Sequence, residues 1–262
     1  MKNIVKNYFN NITTNVTKIE FIYWWILRGL MIFALFDTLL NGNDYNGSNP
    51  PVQIVANLVG MFAYEIIQLF PKNNRLRLLS PRFQNITILG FFLGSFGGAY
   101  LNLYYALPLY DKILHATGTA EAVFVGYEYV CATQLKYKKT CPHQIATLCS
   151  LGFGFILSSA WEAFEFLYDQ FAGGDAQHWN YAIALKQAGG DPDKIFYLFK
   201  IDDLSRFALM DTMGDIILNF IGAFTIYIIL CFIPYRHRGK NDINVKIEEM
   251  QRKSEQAQAM NM

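Results

Sequence analysis

Six stretches of mostly apolar residues, each about as long as a helix needs to cross a hydrocarbon core, alternate with short polar or turn-rich breaks along the 262-residue chain. They fall at about 20–40, 51–69, 85–107, 111–134, 143–169 and 211–233, and the breaks carry helix-ending signals. Asn41-Gly42-Asn43-Asp44 closes the first stretch, Pro71 follows the second, Pro108 ends the third, Pro142 opens the fifth and Pro234 follows the sixth. The pattern predicts an all-α polytopic membrane protein, a bundle of six transmembrane helices. Residues 1–18 form a short polar N-terminal segment, 170–210 an outer loop and 234–262 a tail. Solenoid-type repeats are absent. The first stretch contains Arg28 and lacks a small-residue cleavage site, so it reads as a retained helix rather than a signal peptide.

Composition strengthens this reading. Hydrophobic residues make up 53% of the chain and charged ones only 16%, against about a quarter charged in soluble domains. The net charge of +1, with no basic stripe, excludes a nucleic-acid binder. Cys131, Cys141, Cys149 and Cys231 form no CxxC pair, so a structural zinc or redox motif is not expected.

Lys and Arg in the connections orient the chain. Lys2, Lys6 and Lys18 precede the first helix; Lys72, Arg75, Arg77 and Arg82 lie between the second and third; Lys136, Lys138 and Lys139 lie between the fourth and fifth; Arg236, Arg238 and Lys240 follow the sixth. The 41–50 connection and the 108–110 turn have none. Both termini are therefore expected in the cytoplasm, with the thiols in the inner half where they stay reduced. Gly90, Gly94 and Gly98 recur every fourth residue, as do Gly118, Ala122 and Gly126. Such faces let helices approach closely in a bilayer, and the first could instead support a homodimer.

With this topology three acidic faces lie at one level near the outer side. Asp111 and His115 share a face at i, i+4; Glu162, Glu165 and Asp169 form one stripe; Asp211, Asp215 and Asn219 form another. Ionisable faces in a membrane point into the bundle, so these are expected to meet. Five clustered carboxylates cannot all stay charged without protons or a compensating cation. Asp111, His115, Glu162, Glu165, Asp211 and Asp215 therefore make a candidate site for a divalent cation such as Mg²⁺, Mn²⁺, Fe²⁺ or Zn²⁺, with Lys112, Asp169 and Asn219 supporting it. Simpler roles stand beside this one. Asp111 and Asp211 sit where helix N-caps are expected, His115 could be a hydrogen-bonded core residue, and Glu165 and Asp169 could be solvated.

Elsewhere, Arg28 and Glu65 fall at matching depth and are expected to form a structural ion pair. Asp37 and Asn57 could extend the site, and His143 and His237 are expected to be solvated. The outer loop carries Gly173-Gly174 and the aromatic residues Trp179, Tyr181, Phe196, Tyr197 and Phe199, which suit either a lid or a headgroup-level anchor. His178 in that loop could reach the site.

Asp111-Lys112-x-x-His115, Trp161-Glu162-x-x-Glu165 and Asp211-Thr212-x-x-Asp215 with Asn219 and Gly222, in that order, resemble the YjdF-like membrane proteins. The VanZ-like group is more distantly similar. The resemblance spans about residues 85–233 and implies a small multi-helix protein of the bacterial plasma membrane. VanZ-like members are associated with low-level resistance to a glycopeptide antibiotic. The long segment before Asp211 departs from that pattern.

Three functions fit these residues. One is a metal-assisted hydrolase or transferase acting on a lipid-linked or cell-envelope substrate, with His115 or Glu162 as general base. No nucleophile elbow, HExxH or phosphatase-like basic cluster accompanies it. The second is a non-catalytic membrane protein with a structural polar cluster. The third is a cation- or proton-coupled transporter, against which stand the one-sided placement of the acids and the lack of an inverted repeat.

Overall fold

The computed structural model describes residues 16–41, 50–71, 73–172, 175–200, 204–233, 236 and 242–260. The expectations for residues 1–15, for the Asn41–Asp44 turn beyond Asn41, for Gly173-Gly174 and for His237 lie outside them. The described residues form helices and no strand: α1 (Lys18–Asn41), α2 (Pro50–Gly60), α3 (Ala63–Gln68), α4 (Arg82–Phe92), a π-helix (Leu93–Tyr100), α5 (Leu103–Ala106), α6 (Tyr110–Tyr137), α7 (His143–Ala172), α8 (Tyr181–Gln187), α9 (Pro192–Phe199), α10 (Phe207–Phe232) and α11 (Ile243–Met260). Short 3₁₀ turns sit at Arg75–Leu78 and Leu204–Arg206.

Among the described residues, three helices are long and apolar enough to cross a membrane: α1, α7 and α10. Their outward faces are apolar, with Phe33, Phe36, Ile156, Phe164, Ile217 and Ile228 exposed. So much contiguous apolar surface is costly in water and suits lipid. α6 is as long but carries Asp111, Lys112, His115, Glu121 and Glu128. It packs against α7, α10, α4 and α11, and a helix enclosed by protein can carry polar groups that a lipid-facing one cannot.

Two of the six predicted helices are interrupted. The 51–69 stretch breaks at Met61 and Phe62 into α2 and α3. The break leaves the Met61 carbonyl free of the helical ladder, and it accepts from Arg28 Nε (3.1 Å), Arg28 Nη2 (2.6 Å) and Gln84 Nε2 (2.5 Å). The 85–107 stretch becomes α4, the π-helix and the short α5, because the backbone turns left-handed at Asn102 (φ 54°). The widened turn makes room for Tyr104 and Tyr110, whose hydroxyls donate to the Gly94 and Leu93 carbonyls at 3.2 and 3.0 Å.

Close approach depends on small residues at a few crossings. A Cβ on Gly222 of α10 would collide with the Ala116 backbone carbonyl of α6. Gly90 and Gly98 meet neighbours within the chain, the Glu121 carboxylate and the Tyr104 ring.

The core falls into three clusters. Trp24, Met31, Ile54, Met61 and Phe83 join α1, α2 and α4. Val123, Tyr127, Ala146, Ala223 and Ile247 join α6, α7, α10 and α11. The third is made mostly by the expected outer loop, where Ala184, Ile195, Leu198, Phe199 and Phe207 pack with Tyr105 of α5 into a small core. Trp179, Phe196 and Tyr197 remain exposed there, whereas Phe199 is buried. His143 is half-buried; its Nε2 lies 2.8 Å from the Leu230 carbonyl and its Nδ1 3.4 Å from the Tyr127 hydroxyl. All four cysteines are free thiols.

Candidate functional site

Helical spacing puts Asp111, His115 and Thr119 on one face of α6, Glu162, Glu165 and Asp169 on one face of α7, and Asp211, Asp215 and Asn219 on one face of α10. The three faces point toward one another. Neither Asp111 nor Asp211 caps its helix, because α6 begins at Tyr110 and α10 at Phe207 and neither end has a side-chain cap bond. Both carboxylates are free to face inward.

Lys112 occupies the centre of the α6–α10 contact. Its Nζ lies 2.5 Å from Asp211 Oδ1, 2.8 Å from Asp215 Oδ1 and 3.5 Å from Asp111 Oδ2, and donates to the Asp211 carbonyl at 3.1 Å. From spacing along the chain, Lys112 was expected only to support the site. Its i, i+3, i+7 spacing with His115 and Thr119 was the signal for a central place.

His115 organises the α6–α7 side. Its Nδ1 lies 3.2 Å from Glu162 Oε1. The same oxygen accepts from Asn219 Nδ2 at 3.2 Å, and Asn219 Oδ1 accepts from Thr119 Oγ1 at 2.6 Å. In a neutral imidazole whose proton sits on Nδ1, the lone pair is on Nε2. That atom faces Asp111 Oδ1 at 3.7 Å, Asp215 Oδ1 at 3.7 Å and Glu165 Oε1 at 3.8 Å. These distances are too long for hydrogen bonds. They are only slightly wider than the ~3.0–3.5 Å between ligand atoms sharing one ion at bonds of about 2.0–2.2 Å. Among the described residues, two overlapping triads have the spacing to hold an ion, Asp111–His115–Asp215 and His115–Glu162–Glu165. Asp211 turns to Lys112 and is in neither.

Charge and solvation are unbalanced here. Among the described residues, Lys112 supplies the one ammonium in ion-pair range of this cluster, and it reaches Asp111, Asp211 and Asp215 but neither Glu162 nor Glu165. Glu162 is 8% exposed, and its Oε2 has no hydrogen-bond partner among the described residues. Glu165 Oε1 accepts from Trp161 Nε1 at 2.7 Å, which gives the tryptophan of the second motif a positioning task.

The remaining expected residues sit around this centre. Asp169 turns to the loop above, accepting from the Ala176 and Gln177 amides at 2.6 and 2.9 Å. Asp175 accepts from the Asn180 amide at 2.8 Å, while burial pushes its carboxyl up to about 6. His178 lies in an aromatic roof, with Nδ1 3.2 Å from the Tyr105 hydroxyl and its ring stacked on Phe207 at 5.0 Å. Asp37 and Asn57 stay in the other half of the bundle: Asp37 accepts from Tyr100 at 2.9 Å and Asn57 donates to Ser95 at 2.6 Å. Arg28 and Glu65 also pair there, at 2.7 Å between Nη1 and Oε1 and 2.8 Å between Nη2 and Oε2.

A helical membrane protein with a buried acidic and histidine cluster is the class these features define. Residues 23–236 match a family described as "Predicted membrane protein (DUF2238)", and the chain belongs to that family. No curated protein matches the sequence, and no solved structure does either.

Proposed function

We propose that this protein is a divalent-cation-dependent hydrolase or transferase of the bacterial plasma membrane, acting on a lipid-linked or envelope substrate. In this reading six segments span the bilayer, both termini are cytoplasmic, and the α6–α7–α10 cluster faces the outer side. The resemblance to YjdF-like proteins favours the same surface, since its three motifs supply the cluster.

One observation carries the proposal: His115 is held through Nδ1 by Glu162 while Nε2 faces three carboxylate oxygens. Ligating histidines are commonly held in this way by a carboxylate on the far nitrogen, which sets the tautomer and the ring's direction. His115, Asp111, Asp215 and Glu165 hold the cation, which when bound supplies Lewis acidity and lowers the pKa of coordinated water. Lys112 fixes Asp215 and ties α10 to α6 through Asp211. Glu162 keeps Oε2 unengaged and can take a proton from the attacking water or hydroxyl.

Elemental analysis of the purified protein checks the assignment. About one divalent ion per chain is expected, with chelator lowering the melting temperature and His115→Ala losing the ion. An ion-free protein indifferent to chelator would overturn it. A structural knot is favoured instead by the Lys112 bridges to Asp211 and Asp215; in that case Lys112→Met would unfold the protein while chelator and His115→Ala changed nothing.

A further inference from the structure

Beside the acidic cluster, α7 and α10 part to leave a cavity of about 250 Å³. Phe155 and Ser159 of α7 and Ile216 and Phe220 of α10 line it, and Glu162 and Asn219 form its polar end. Ile156, Ile217 and Ile221 on the same two helices are exposed, and both helices are long and apolar enough to cross a membrane. The cavity thus joins the surface where hydrocarbon lies to Glu162, whose Oε2 has no hydrogen-bond partner among the described residues. An aqueous solute would have to traverse lipid to use this approach, whereas a membrane amphiphile already resides there.

We propose that this cavity takes one hydrocarbon chain of a membrane lipid and presents the lipid's polar end, bearing a hydrogen-bond donor, to Glu162. The proposal rests on the cation-site reading above and names its substrate class: a membrane lipid approaching sideways between α7 and α10. The size fits part of a chain. A cavity of about 150 Å³ holds a benzene ring, so this one accommodates a chain segment while the rest of the lipid stays in the bilayer. Its apolar walls favour such a segment, and the buried acceptor at its end rewards a donor-bearing headgroup.

Photo-crosslinking of the full chain in nanodiscs tests this, using phosphatidylethanolamine and phosphatidylglycerol doped with a phospholipid carrying a diazirine in its acyl chain. Labelling is expected to concentrate on 155–162 and 216–220, several-fold above exposed sites such as Leu39 and Ile228. Ser159→Trp should abolish the enrichment by filling the cavity, and Ser159→Ala should retain it. Labelling spread evenly over the exposed helix faces of the unmodified protein would overturn the proposal, as would enrichment that survives Ser159→Trp. Metal content measured on the same samples separates the two readings. Localised labelling in an ion-free protein would retain the lipid cavity and reject the cation, whereas a bound ion with even labelling would do the reverse.

Discussion

The two halves of the bundle bury charge in opposite ways. In the α1–α4 half, the Arg28 guanidinium meets the Glu65 carboxylate through two close contacts, and its other bonds go to the Met61 carbonyl left by the helix break. Phe62 covers the guanidinium at 4.0 Å. One positive charge matches one negative charge. In the α6–α7–α10 cluster, five carboxylates gather about Lys112 and His115, Glu162 Oε2 has no hydrogen-bond partner among the described residues, and a cavity reaches the cluster. A matched pair serves a fold; an unmatched and accessible cluster leaves capacity for a ligand.

Substitutions should divide along that line. The largest effect is expected from Arg28→Ala, which strands Glu65 and the Met61 carbonyl and should cost about 3–5 kcal/mol. Thermal denaturation in detergent checks it, and Arg28→Met with Glu65→Leu should recover most of the loss. Gly222→Val comes next. Its Cβ would meet the Ala116 carbonyl, so α10 must move off α6 at a cost of about 1–3 kcal/mol, and metal binding should weaken with it. Conversely, Glu162→Gln should leave the melting temperature within a few degrees while weakening metal affinity about 10–100-fold, read by calorimetric titration. Equal effects of Arg28→Ala and Glu162→Gln on both readouts would erase the contrast between the halves.

The smallest effect belongs to the loop above the site. Asp175 has a folded-state pKa raised to about 6, chiefly by burial. The folded state then holds a proton that the unfolded state has released. Its contribution to stability is greatest below the unfolded pKa of ~4 and declines as pH rises through about 6. After solvent screening this amounts to about 1 kcal/mol or less. Melting temperatures between pH 4 and 7 should show the slope, and Asp175→Asn should flatten it.

Much of the site's membership was legible along the chain, because membership of a helical face is a local property. Asp111 with His115, Glu162 with Glu165, and Asp215 with Asn219 follow from spacing alone. Lys112 was harder to place. Lysine at a helix mouth usually reaches water, and nothing local shows that α10 brings two aspartates against it. Asp169 sits on the right stripe, yet the Ala176 and Gln177 amides claim it, a choice made by how the loop folds back. The interruptions at Met61 and Asn102 were also hidden, since both lie within apolar runs. Arg28 and Gln84 bond the carbonyl freed at Met61, and tyrosines from farther along the chain fill the π-helix.

By itself, the sequence determined that this is a helical membrane protein and which side chains share each helical face. Both depend on composition and on a repeat of about 3.6 residues, which act over one or two turns. Only the tertiary structure decided which faces meet, that Lys112 is central, and that His115 turns one nitrogen to Glu162 and the other to three carboxylates. Those outcomes depend on helices crossing closely enough at Gly222 to bring side chains about a hundred residues apart into hydrogen-bond range, which local spacing does not encode.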